Sequence, residues 1–205
     1  MRDERTAVDF VRMKDGTAEE YAFLQREEAA YAAGAAERVL AGLRALENSM
    51  GGYRVSRLDH SLQSAARAER DGADTDWIVS ALLHDIGDAL APHNHSQLAA
   101  AVIEPYVREE CSWVVRHHGA FQMIYYGHHI GLDPHARERY RGRPNYAACV
   151  DFCERWDQAS FDPDYDTPPL GHFAPLVREV FARTAWDPAA IRKGVRVPLC
   201  TDPDA

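Results

Sequence analysis

The sequence predicts an all-α fold. Apolar residues recur at helical spacing through most of the 205 residues, start and stop signals bracket those stretches, and no alternating pattern of useful strand length occurs. The length suits one compact unit that needs no disulfide staples. The expected organisation is a main helical domain over 17–197, an N-terminal extension at 1–16 and a tail at 198–205.

Thr17 with Glu20 reads as a capping box that opens an Ala-rich amphipathic run to about Glu47, with Gly34 as an interruption. The stretch 49–53 (SMGGY) is a turn. A helix follows from about Val55 to Arg70, closed by Asp71-Gly72, and another from Asp74 or Thr75 to Asp85, closed by Gly87. In this second helix apolar side chains cover nearly the whole circumference, as in a buried central helix. Asn94 and Gln97 read as a cap pair for a helix that Pro105 stops, and 106–118 gives the next. A looser aromatic segment is expected at 121–132, a short helix near 134–140 and a helix from Pro144 to about Ala159. An acidic, Pro-rich loop at 161–169 leads to final helices near 173–182 and 188–193.

Composition excludes several classes. With 46% hydrophobic and 27% charged residues the chain is too apolar for a disordered protein. The net charge of −9 argues against nucleic acid as a partner. No stretch approaches the length of a membrane span, and the charged MRDERTAVDF start has no apolar signal core. Cys111, Cys149, Cys153 and Cys200 lack C-x-x-C spacing, which suits reduced thiols and a cytoplasmic location; Cys149 and Cys153, four apart, read as core filling. Lys14 and Lys193 are the only lysines, so an anionic ligand would be held by arginine, with Arg116, Arg141, Arg143 and Arg155 as possible anchors or exposed ion-pair partners.

The adjacent His84-Asp85 pair ends the all-round apolar helix, where a buried carboxylate needs a hydrogen bond, a counter-charge or a cation, and no Arg or Lys lies nearby in sequence. His60 stands about 200° around its helix from Leu58 and Leu62, on the face of Gln63, toward either solvent or a polar cavity. His95 starts a helix. His118 and His117 are one helical step apart, so one of the two faces any given site. Asp157 ends an inward stripe with Cys149 and Cys153. Four imidazoles and two carboxylates on separate helices suit a dinuclear centre for iron, manganese or another borderline metal, with Asp85 able to bridge. Asp162, Asp164 and Asp166 lack the Gly and Glu of a calcium loop and read as a solvated turn. Phe121, Tyr125 and Tyr126 either line a substrate pocket or pack the core.

The order His, His-Asp, His, His, Asp resembles that of HD-domain proteins over roughly 48–160. LDHSLQSA at 58–65 and SALLHDIGD at 80–88 are similar to the first two metal motifs of the HD oxygenases, the group containing myo-inositol oxygenase and the phosphonate-cleaving diiron enzymes. HSQLAAAVI at 95–103, VRHHGAF at 115–121 and ERWD at 154–157 resemble the remaining three. The resemblance implies a single HD-domain helical bundle. One metal would be held by His60, His84, Asp85 and Asp157, and a second by Asp85, His95 and His118. It departs from the group at Asp88, where phosphodiesterases often carry Lys and the phosphonate-cleaving enzymes His, and at Gln122, near which those enzymes use Lys. Met50-Gly51-Gly52-Tyr53 stands where some relatives place a Tyr and Glu that shield the iron.

The expected function is a mixed-valent Fe(II)/Fe(III) oxygenase that uses O2 to oxidise a C–H bond or cleave a C–C or C–P bond of a small polar substrate. The alternative is a metal-dependent phosphohydrolase with Mn2+, Mg2+ or Zn2+. A charge at Asp88 would repel phosphate, and would instead pair with a cationic substrate group. Candidate substrate contacts are Gln63, Asp88, Gln122, Tyr125 and Arg155.

Overall fold

The structure, a computed structural model, describes residues 6–200; most of the tail expected at 198–205 lies outside them. Among the described residues the protein is all helical, with no strand. Thr17 caps α1 (Ala18–Ala33) through the expected capping box: its hydroxyl accepts from the Glu20 amide at 3.3 Å, and the Glu20 carboxylate accepts from the Thr17 amide at 2.8 Å. Gly34 breaks the run, and α2 (Ala35–Ala45) turns Leu40 and Leu43 inward before a short 3-10 turn at Leu46–Asn48.

A second capping box, Ser56 with Asp59, opens α3 (Arg57–Arg70), and Asp74 caps α4 (Thr75–Leu83) by accepting from the Trp77 amide at 3.1 Å. Every residue of α4 after Thr75 is buried, as the all-round apolar pattern requires. It packs against α3, and against α5 (His95–Ile103), α6 (Glu109–Tyr126) and α8 (Leu170–Phe181). α4 stops at Leu83 rather than Asp85. His84 and Asp85 lie in the turns that follow, where the Ile86 amide bonds the Leu83 carbonyl at 3.1 Å and the Asp88 amide bonds the Asp85 carbonyl at 3.0 Å.

Three further sequence expectations differ from the structure. Asn94 gives α5 no side-chain cap, so the Asn94–Gln97 pair is not formed. α6 begins at Glu109 and runs to Tyr126 instead of ending at His118. Burial of Phe121 and Gln122 continues the inward face of Val114, Val115 and His118, and outweighs the roughly 1 kcal/mol that Gly119 costs a helix. The helix expected over 144–159 is α7 (Tyr146–Phe152) followed by a π turn at Cys153–Asp157, where the Gln158 amide bonds the Cys153 carbonyl at 3.0 Å. α9 (Pro188–Ile191) completes the order.

Arg108, fully buried, ties the starts of α4 and α6 together: its guanidinium reaches both Asp74 carboxylate oxygens at 2.5 and 3.0 Å, and its amide reaches Asp76 at 3.0 Å. The last described segment closes over the same end, with the Val197 carbonyl accepting from the Trp77 indole at 3.0 Å. Among the described residues no helix is long and apolar enough to cross a membrane.

Candidate metal centre

The end of α4 points His84 and Asp85 into a space walled by α3, α5, α6 and the π turn, and all six predicted ligands meet there. His60 Nε2, His84 Nε2, Asp157 Oδ1 and Asp85 Oδ2 form one group. Within it His60 lies 3.0 Å from His84, 3.3 Å from Asp157 and 3.3 Å from Asp85, while His84 lies 3.2 Å from Asp85 and 3.5 Å from Asp157. The other oxygen of Asp85, Oδ1, faces His95 Nε2 at 3.3 Å and His118 Nε2 at 3.2 Å. Asp85 therefore divides the centre into two subsites, one carboxylate oxygen to each.

The ring orientations come from the far nitrogens. Nδ1 of His60 bonds the Ser160 carbonyl at 2.9 Å, that of His84 the Ala81 carbonyl at 2.7 Å, and that of His118 the Val115 carbonyl at 2.7 Å. A carbonyl only accepts, so Nδ1 carries the proton and Nε2 turns inward as a potential ligand atom. His95 differs: its Nδ1 lies 3.4 Å from both Asp88 Oδ1 and the Pro92 carbonyl, and it is the most exposed of the six, at 27% of its side chain. His60, read from sequence as facing solvent or a polar cavity, is buried at 1% exposure. His118 is the inward histidine of its pair. His117 is sandwiched between Trp113 and Tyr140, at 4.4 and 4.5 Å between ring centres.

Without a metal, the charges balance among the side chains. Burial opposes charge on each group, yet Asp85 and Asp157 hold His84 well above the ordinary imidazole range and also raise His60. In return, against the same burial, His84 and its neighbours hold Asp85 and Asp157 well below the usual carboxylate range. Asp157 Oδ2 is nonetheless buried with no hydrogen-bond partner among the described residues, an acceptor that a cation would satisfy. Donors 3.0–3.5 Å apart subtend angles of about 90–115° at a common ion with bonds of about 2.1 Å, between octahedral and tetrahedral. The donor set is all imidazole and carboxylate, which fits iron, manganese or zinc. Cys153 directs its thiol to the His118 carbonyl at 3.7 Å, and with Cys149 fills the core behind the centre.

Sequence reasoning missed Arg57. Although distant from Asp85 in sequence, its guanidinium bonds Asp85 Oδ2 through Nη2 and Asp88 Oδ2 through Nε, the latter at 2.7 Å, and it is 7% exposed. The signal was present: Arg57 precedes His60 by one helical turn and shares its face. No Arg or Lys lies near Asp85 in sequence, and the fold brings Arg57 to it from 28 residues away; the expectation that Asp88 presents a free negative charge is corrected. Asp88 is neutralised by Arg57 and braces His95.

A cavity of about 420 Å³ opens onto the centre between Arg57, Gln122, Tyr125, Tyr126, Tyr53 and Phe161. Phe161 stacks on His60 at 4.3 Å and on Tyr53 at 5.0 Å between ring centres, so the loop after the π turn covers the imidazole. Gln122 is 7% exposed and its amide Nε2 has no hydrogen-bond partner among the described residues. The structure does not bring Gln63 or Arg155 to this cavity. Gln63 braces the loop by bonding the Asp162 carbonyl at 2.7 Å and its amide at 3.2 Å, while Arg155 pairs with Asp71 at 2.9 Å. Phe121 belongs to the core, and Arg116 and Arg141 pair with Glu104 and Glu138.

Residues 57–158, which contain Arg57 and all six candidate ligands, match the family model of the HD domain. The chain is also similar to a curated (1-hydroxy-2-(trimethylamino)ethyl)phosphonate dioxygenase (glycine-betaine-forming) from Leisingera caerulea, with 27% identity over 159 residues, covering 63% of this chain and 81% of that protein. The helical architecture, the His-Asp pair at the end of a buried helix and these matches agree: residues 57–158 of the chain are an HD domain.

Proposed function

We propose that this chain is an HD-domain oxygenase that holds two iron ions and uses O2 to oxidise a C–H bond, or to cleave a C–C or C–P bond, of a small polar substrate. The observation that carries the reading is the division of Asp85 between two imidazole pairs, in a chain similar to a phosphonate dioxygenase. Bound iron would supply the O2 activation and one-electron chemistry that removal of hydrogen from carbon requires.

The protein's own part is binding and orientation. His60, His84, Asp157 and Asp85 Oδ2 would hold one metal in the more buried position, and His95, His118 and Asp85 Oδ1 would hold the other. Among the described residues three side chains would serve the second metal, which would leave room there for substrate oxygens. The unpartnered Gln122 amide offers a donor to such an oxygen, Arg57 adds a fixed cation, and Tyr125 offers an aromatic wall. Phe161 and Tyr53 exclude water from the His60 side.

One observation favours a second reading, a metal-dependent phosphohydrolase: with Asp88 neutralised by Arg57, the cavity no longer repels a phosphate through that residue. Anaerobic iron loading separates the two. The oxygenase binds about two irons per chain, gives the EPR signal of a coupled mixed-valent pair after partial oxidation, and consumes O2 with an α-hydroxyphosphonate. Retention of zinc or magnesium alone, with hydrolysis of a phosphate ester and no O2 uptake, overturns it.

A further inference from the structure

A second depression, of about 330 Å³, lies beside the metal cavity and shares His95, Gly119 and Tyr126 with it. Its lining includes the first turn of α5, a nine-residue helix whose N-cap side chain makes no cap bond, so amide donors are left open at the positive end of the helix.

Ser96 supplies an independent pointer to a ligand. It is 6% exposed, lines this depression, and its hydroxyl makes no hydrogen bond among the described residues. Gly119 preserves the space in front of it: a Cβ there would stand 3.1 Å from Ser96 Oγ.

Charge points the same way. In a chain of net charge −9, this lining contains Arg116 and Arg139 and no carboxylate. Arg116 shares its charge with Glu104. Arg139 makes no ion pair among the described residues, and its guanidinium sits 4.8 Å from the ring centre of Tyr140, also in the lining.

We propose that this depression is an oxyanion subsite, which takes the phosphate, phosphonate or carboxylate end of a substrate whose reacting carbon lies at the adjoining metal centre. Arg139 supplies the charge, and the Ser96 hydroxyl and the first-turn amides of α5 supply the donors. The substrate half of the assignment rests on the oxygenase reading; the anion site does not.

Sulfate titrated calorimetrically into the full-length protein after metal chelation reads the subsite without any reaction. Binding is saturable, weakens about tenfold in Arg139→Gln, an exposed substitution that leaves the core intact, and is unchanged in Arg57→Gln. Equal affinity in Arg139→Gln, or loss of binding in Arg57→Gln, would place the anion elsewhere and overturn the subsite. In turnover, Arg139→Gln raises KM about tenfold for substrates ending in an oxyanion and leaves neutral ones unchanged. An unchanged KM with sulfate binding intact would make the ligand a free anion and overturn the substrate assignment.

Discussion

Asp157 and His84 show how the centre stores charge when no cation is present. Burial disfavours both ions, yet each stabilises the other: His84 is raised well above its ordinary value and Asp157 lowered well below. His84 and His60 therefore stabilise the chelated fold below about pH 6.5, an effect lost as pH rises through their folded values. Asp85 and Asp157 stabilise it above about pH 4, an effect lost as pH falls through theirs. Chelated protein should melt highest on the acid side of neutrality. Added metal, which needs unprotonated imidazoles, should raise Tm more at pH 8 than at pH 5.5. A chelated protein whose Tm climbs steadily from pH 5 to 8 contradicts this. Asp157→Ala leaves the charged imidazoles of the metal-free centre without one of their two partners, a loss of about 3–5 kcal/mol in denaturant unfolding. Asp88→Asn tests a finer point, because His95 is the one candidate ligand braced by a carboxylate. Metal titration should show the second equivalent weakened about 10–100-fold and the first unchanged. Asp88 was visible in the sequence, but its role was not, since its partner Arg57 is 31 residues away and only the packing of α3 on the end of α4 joins them.

At the scale of elements, helix starts were readable where a side chain closes a local ring, as at Thr17 and Glu20, and the all-round apolar pattern of α4 announced its central place. Ends were harder. α6 passes through Gly119 because Phe121 and Gln122 are buried against neighbours that no local window contains. The π turn at Cys153–Asp157 leaves the 3.6-residue period, so the spacing of 149, 153 and 157 reported the inward stripe but not the turn that delivers Asp157. Gly87 shows an element placed by close approach: a Cβ at this position would lie 2.5 Å from the His95 carbonyl oxygen and 2.7 Å from its Cα. Both are backbone atoms that cannot swing aside. Gly87→Ala should therefore push the start of α5 away, cost about 1–3 kcal/mol, and strip the metal held through His95 while leaving the buried position filled. Metal content per folded chain, measured beside the melting curve, checks this; two tightly held metals in the variant would show that α5 tolerates the displacement.

Across the whole molecule, α4 joins two polar networks of different purpose. At its start Asp74 and Asp76 meet the buried Arg108, with Arg183 also on Asp76 at 2.6 Å; at its end His84 and Asp85 enter the candidate metal centre. The helix is about 13 Å long, and its buried apolar side chains separate the two ends. Arg108→Ala removes the shared counter-charge of Asp74 and Asp76 and opens a space beneath Trp77, a loss of about 3–5 kcal/mol. Since no ligand of the centre contacts this network, the protein that remains folded should bind metal with unchanged stoichiometry and affinity, so calorimetric titration below the lowered Tm should overlay the unsubstituted protein. If metal affinity instead falls in step with stability while the chain is still folded, α4 transmits displacement from one end to the other, and the centre depends on the whole bundle rather than on the residues that surround it.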